Sequence, residues 1–146
     1  MKSARRRSRE LALQGLYAWQ LSGEQSVGLR SQLAETKDFD KADREYFARL
    51  LTGTIECADV LEGLIAPVLD RKPEALSPIE HGILLLAAFE LQNVPEVPYK
   101  VIINEAVELA KLFGGTDGHK YVNGVLDKLA GRLRPGEAGT RKNVRA

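Results

Sequence analysis

Lys2, Arg5, Arg6, Arg7 and Arg9 put five cations into the first nine residues, with no acid among them. Guanidinium groups form paired, charge-assisted hydrogen bonds with phosphate oxygens, so the chemistry on offer is the binding of a polyanion. A targeting signal and a solvated tail are the competing readings of such a run. The residues that follow, L-A-L-Q-G-L-Y-A-W-Q, hold no uniform apolar stretch and no small-residue cleavage site, which argues against a secretion signal. On a helix, Arg6, Arg9, Leu13, Tyr17 and Gln20 recur at steps of three and four and share one side. Cations leading to an aromatic and an amide on one face suit RNA, where guanidinium groups meet phosphates and a ring stacks on an unpaired base. Tyr99–Lys100 and Lys120–Tyr121 repeat the basic–aromatic theme at the expected starts of two further helices, whose free N–H groups favour phosphate.

Residues for covalent or metal chemistry are sparse. The two histidines, His81 and His119, lie at no metal-ligand spacing from each other or from the single cysteine, Cys57. G-G-T-D-G-H-K (114–120) has the wrong glycine spacing for a phosphate loop, lacks a Ser or Thr after its lysine, and follows a helix instead of a strand. It reads as a helix–turn–helix junction. Glu105 and Glu108 fall on the outer side of an amphipathic helix and read as solvated charge. No catalytic site, cofactor or metal is expected, and the chain reads as a binding protein, not an enzyme.

The elements that must position these residues are helices. Ser3 is placed to cap a first helix ending at Ser22-Gly23, with Leu11, Ala12, Leu16 and Trp19 as its core stripe. A short helix is expected over 26–35. Asp40 and Asp43 form a capping pair for a helix carrying Phe47, Leu50, Leu51 and Thr54, and Asp59 with Glu62 opens the next. Ser77-Pro78-Ile79-Glu80 is a capping box with proline at the first helical position, opening a helix to about Asn93. V-P-E-V-P (94–98) is an extended connector. Helices over 100–113 and from Thr116 or Asp117 to Leu133 follow, separated by Gly114-Gly115. The expected fold is all-α: about seven helices in two packed sub-bundles hinged near residues 70–77. Residues 1–133 form one domain and 134–146 a flexible basic tail.

At 146 residues the chain suffices for one domain with a sizeable core. No apolar stretch approaches the ~18–20 residues needed to cross a bilayer, and a lone Cys57 suits a reducing cytoplasm. The net charge of +1 conceals an asymmetry: residues 1–9 and 128–146 each carry +5, leaving −9 on the body between them. Basic ends on an acidic body imply a polyanion partner at the ends and a separate partner for the body.

V-P-Y-K-V-I-I-N-E-A-V-E-L-A-K-L-F-G followed by H-K-Y-V-N-G-V-L-D-K, within 97–128, resembles the signature of the bacterial NusB transcription antitermination family. A-R-R-R-S-R-E…L-Y-A-W-Q matches that family's arginine-rich start, and the resemblance covers about residues 2–133. It implies an all-helical, non-enzymatic protein that binds boxA RNA of ribosomal-RNA leader transcripts. It implies NusE, also a small-subunit ribosomal protein, as partner, and assembly into an antitermination complex with RNA polymerase. It assigns Lys2, Arg5, Arg6, Arg7 and Arg9 to RNA, with Lys120, Tyr121 and Asn123 at the RNA surface. Tyr17 and Glu80 are assigned to the protein partner, and Asp117 to that partner or to helix capping. Relatives often carry an arginine in the fifth helix where this chain has Leu85, a departure that would remove any partner contact it makes. Monomer and homodimer both stay open. The competing functional reading is a protein-interaction adaptor without specific RNA binding; a third, an RNA methyltransferase, lacks the length for a catalytic domain.

Overall fold

The computed structural model describes residues 3–37, 39–115 and 117–139, and these are helical with no strand. Seven α-helices follow in order: α1 Ala4–Ser22, α2 Ser26–Leu33, α3 Arg44–Glu56, α4 Ala58–Ile65, α5 Pro78–Asn93, α6 Tyr99–Phe113 and α7 Gly118–Leu133. Local chemistry sets most of their ends. The hydroxyls of Ser3 and Ser77 and the carboxylate of Asp43 accept hydrogen bonds from the backbone N–H of Arg6, Glu80 and Tyr46, satisfying donors that the first helical turns leave open. Gly23 ends α1 at φ 70°, a left-handed conformation that costs glycine nothing.

α5 is the central helix. Every residue from Gly82 to Leu91 is buried, so it is apolar all round and packs on α1, α3, α4, α6 and α7. It runs antiparallel to α1: Glu90 faces Arg9, Gly82 faces Leu13 and Leu16, and the Pro78 carbonyl accepts from the Gln20 amide. α3 approaches it closely at Gly53, where an added Cβ would lie 2.4 Å from the Phe89 ring. Leu85 is 2% exposed, so this position of α5 lies in the core and not at the surface.

The two sub-bundles are α1–α3 and α4–α7, and the division falls earlier than 70–77. α4 packs on α5, with His81 Nε2 2.5 Å from Glu62 Oε1 across the pair. The chain therefore changes sub-bundle at Cys57, which leaves helical geometry (φ −97°, ψ 10°) and serves as both the end of α3 and the start of α4. No side-chain cap forms at that start, so the expected Asp59–Glu62 signal is not what opens the helix.

The expected tail also begins later. Arg134 is buried, and its guanidinium donates to the carbonyls of Glu90, Leu91, Val94 and Val97 at 2.8–3.2 Å, capping the end of α5 and the connector. A π-helical turn over Pro135–Gly139 carries Glu137, which accepts from Arg134 and from the Tyr99 N–H at the start of α6. Residues 140–146, with most of the tail's cations, lie outside the described residues.

Candidate nucleic-acid interface

The arginines of α1 have different fates, decided by what α3, α5 and α6 place beside them. Arg9 is 4% exposed and sits between helices: Nε and Nη2 each donate to a Glu90 oxygen at 2.8 Å. The Tyr46 hydroxyl donates to Glu90 at 2.5 Å, and Arg9 Nη1 reaches Glu105 at 3.4 Å. Burial disfavours the Arg9 charge, yet the Glu90 hydrogen bonds and charge outweigh it and hold its pKa above the ordinary value. Burial and the neighbouring Glu90 push the Tyr46 phenol up, so it stays a donor. Arg6 is half-exposed and clasped by Glu105, with Nη2 2.6 Å from Oε2. Burial alone would raise the Glu105 pKa; Arg6 and Arg9 overcome it and hold the carboxyl below the ordinary range. Glu105 is thus a bridge from α6 to α1, not the solvated charge its helical position implied.

The shared side of Arg6, Arg9, Leu13, Tyr17 and Gln20 is consequently not a free RNA face, because Arg9 and Leu13 are core residues. What remains at the surface is Arg5 and Arg7. Arg5 lies over the Tyr46 ring at 4.2 Å and 3.8 Å from Asp43, its side chain 45% exposed. Arg7 is half-exposed. Lys2 lies outside the described residues. A groove of about 470 Å³ between the start of α1 and the start of α6 is lined by Ser3, Arg5, Arg6, Glu96, Pro98 and Val101, among others. Tyr99, half-buried, and Lys100, exposed, begin α6 at this end.

The second group lies ~21 Å further along α1, the rise of the residues from Arg6 to Gln20. Here the start of α5 meets the end of α1 and the start of α7. Tyr17 is 39% exposed, and Gln20 ties α1 to Pro78. Glu80 packs against Gly118 so closely that a Cβ there would meet its Oε2 at 2.6 Å. Asp117 stands at the start of α7 without a side-chain capping bond and pairs with Lys120 at 3.6 Å in solvent. Thr116, the alternative cap, lies outside the described residues. Asn123 is exposed, and Tyr121 is half-buried beneath Arg71, whose Cζ is 4.0 Å from the ring centroid.

Sequence reasoning therefore finds the cations but misses their partners. Tyr46 and Glu90 read as ordinary core-helix residues, since nothing local shows that they meet Arg9. Arg71 sits in a connector without periodicity; its one signal is the pair Arg71-Lys72 before Pro73. No helix among the described residues is long and apolar enough to cross a membrane, and no group of three His, Cys, Asp or Glu among them is placed to hold a metal.

Fold and surface define an all-helical protein with separate basic and aromatic surface features on one framework. Residues 6–131 match the model of the NusB family, and the chain belongs to that family. It is 59% identical over 137 residues to the transcription antitermination protein NusB of Paraburkholderia phytofirmans, covering 94% of this chain and 95% of the relative. It is 56% identical over 142 residues to that of Burkholderia cenocepacia strain HI2424, covering 97% and 98%. Among solved structures, T. maritima NusB superposes with a TM-score of 0.81 at 31% identity, covering 96% of this chain and 99% of that one. A structure of the antitermination factors NusB and NusE in complex with dsRNA matches at TM-score 0.76 and 24% identity, over 87% and 96% of the two chains, a likeness of fold.

Proposed function

We propose that this chain is a cytoplasmic transcription antitermination factor that binds boxA RNA of ribosomal-RNA leader transcripts together with NusE. The pair then joins the antitermination complex on RNA polymerase. The observation that carries this reading is Arg5 and Arg7 standing at the surface of a helix whose root, Arg9, is locked into the core by Glu90. A basic arm so anchored presents cations without ordering a loose tail, which lowers the entropic cost of binding. Arg6 joins them when a phosphate displaces Glu105, Tyr99 and Lys100 extend the same end, and Lys2 is assigned to RNA with them. Arg9 contributes as the anchor and not as a phosphate contact. Lys120, Tyr121 and Asn123 form the second RNA contact, and Tyr17, Glu80 and Asp117 face NusE.

Titration of boxA-type single-stranded RNA, with and without NusE, tests this. Binding is expected to tighten with NusE and to weaken with salt. For single strands the slope of log affinity against log salt changes by about 0.7 per phosphate contact, so Arg5→Ala with Arg7→Ala reduces it by roughly 1.4 at unchanged helix content. An unchanged slope would move RNA off this arm. Absence of binding under both conditions would leave the adaptor reading.

A further inference from the structure

We infer that the stacking surface offered to an unpaired RNA base at the α7 corner is the guanidinium plane of Arg71, with the Tyr121 ring as its backing and not as the platform itself. The inference rests on the RNA-binding reading above and changes which residue touches the base.

Tyr121 is packed against the core, and burial together with the nearby Asp70 carboxylate pushes its phenol up. The Arg71 guanidinium covers the ring at 4.0 Å from the centroid, the distance of a stacked pair. With the core on one side and Arg71 over a ring face, a base that stacks on that face must displace Arg71. Arg71 is held where it is: Asp70 Oδ1 lies 2.9 Å from its Nε, and its Cζ sits over the Tyr121 ring. Its side chain is nevertheless 44% exposed, so the outer part of the group faces solvent. A planar cation backed by an aromatic and open on its far side is itself a base-stacking surface, and its Nη groups can reach a phosphate in the same plane.

The charges around it fit a nucleic acid. Lys72 and Lys120 are exposed at the same corner, and the Lys120–Asp117 pair, solvent-exposed at 3.6 Å, is weak enough to exchange for a phosphate. Asp70 and Glu80 also lie near Arg71, and both act on its charge. Their presence disfavours bare phosphate as the primary ligand and favours a base, which is uncharged and is held by its face.

The test is titration of boxA-type single-stranded RNA carrying 2-aminopurine, whose fluorescence is quenched by stacking, against wild type, Arg71→Lys, Arg71→Gln, Tyr121→Phe and Tyr121→Leu. Circular dichroism checks the fold of each variant. Arg71→Lys keeps the charge and loses the plane, so affinity is expected to fall roughly 5- to 100-fold, the range for one stacked base, with the salt slope unchanged and quenching lost at one nucleotide. Tyr121→Phe, which keeps the ring and loses the hydroxyl beside Asp70, is expected to keep the quenching at that nucleotide. Tyr121→Leu, which removes the backing, is expected to lose the same quenching. Arg71→Lys binding as tightly as wild type, with only Arg71→Gln reducing the slope, would make Arg71 a phosphate contact and overturn the inference. So would unchanged quenching in Arg71→Lys. Failure of wild type to bind the RNA at all would instead sink the parent reading, and this inference with it.

Discussion

Arg9 and Arg71 are built from the same parts: each guanidinium has a carboxylate on its edge and a tyrosine ring beside it. Glu90 and Tyr46 surround Arg9, with the Tyr46 centroid 5.4 Å away, and Asp70 and Tyr121 surround Arg71. The two sites are nonetheless opposites. Arg9 draws its partners from α3 and α5, distant in sequence, and is 4% exposed. Arg71 takes its carboxylate from the preceding residue and stays in solvent. A triad assembled by tertiary packing between helices holds them together, whereas a connector cation that takes its carboxylate from its chain neighbour is left prepared for a ligand. The same residue types serve structure in one place and recognition in the other, and burial separates the two roles.

The strongest way to break this contrast is to remove the carboxylate at the buried site. Glu90→Gln leaves the Arg9 charge buried with a neutral partner, and is expected to destabilise the protein by about 3–5 kcal/mol in urea unfolding. Arg9→Met combined with Glu90→Leu removes both charges and is expected to recover much of that loss, because the cost lies in the unpaired charge. A loss below about 1 kcal/mol for Glu90→Gln would mean that water reaches Arg9, and the distinction between the sites would collapse.

That dependence on distant partners also explains what the sequence could reveal. Ser3, Asp43 and Ser77 were legible as caps because the capping bond spans three residues, and the stripes of α1 and α3 were legible because helical period is local. Arg9 was legible as a cation but not as a buried one, since its fate rests on Glu90, 81 positions away. Glu105 failed for the same reason: its place on the outer side of α6 says nothing about α1 lying alongside. Arg134 reads as the first residue of a glycine- and proline-containing tail, and only the open carbonyls at the end of α5 give its guanidinium a site. At the α7 corner the pair Lys120–Tyr121 was visible, while Arg71, which covers the ring, was not.

Between the two extremes stands Arg6–Glu105, half-buried and therefore open to exchange. Glu105→Gln is expected to cost about 1 kcal/mol at neutral pH and to tighten RNA binding by a few-fold, because Arg6 is released toward the groove. The sign of the pH dependence follows from the depressed Glu105 pKa. The stabilisation is present above the unfolded carboxyl pKa and is lost as pH falls through the lower folded value. The gap between wild type and Glu105→Gln should therefore close on acidification below the ordinary carboxylate range. A gap constant with pH would show that Glu105 does not act through its charge, and Arg6 would move to the exposed class.

The smallest expected effect lies at the exposed triad, where stability is indifferent to the cation. Arg71→Gln is expected to shift the urea midpoint far less than Glu90→Gln does. Asp70 and Arg71 are neighbours in the chain, so the unfolded state keeps most of their attraction, and water and salt screen what folding adds. Arg71 over Tyr121 contributes little in an exposed setting for the same reason. A midpoint shift comparable to that of Glu90→Gln would place Arg71 with Arg9 as a fastening of the fold. A cation that costs the fold little to remove, yet is stacked and oriented in advance, is free to be selected for what binds it.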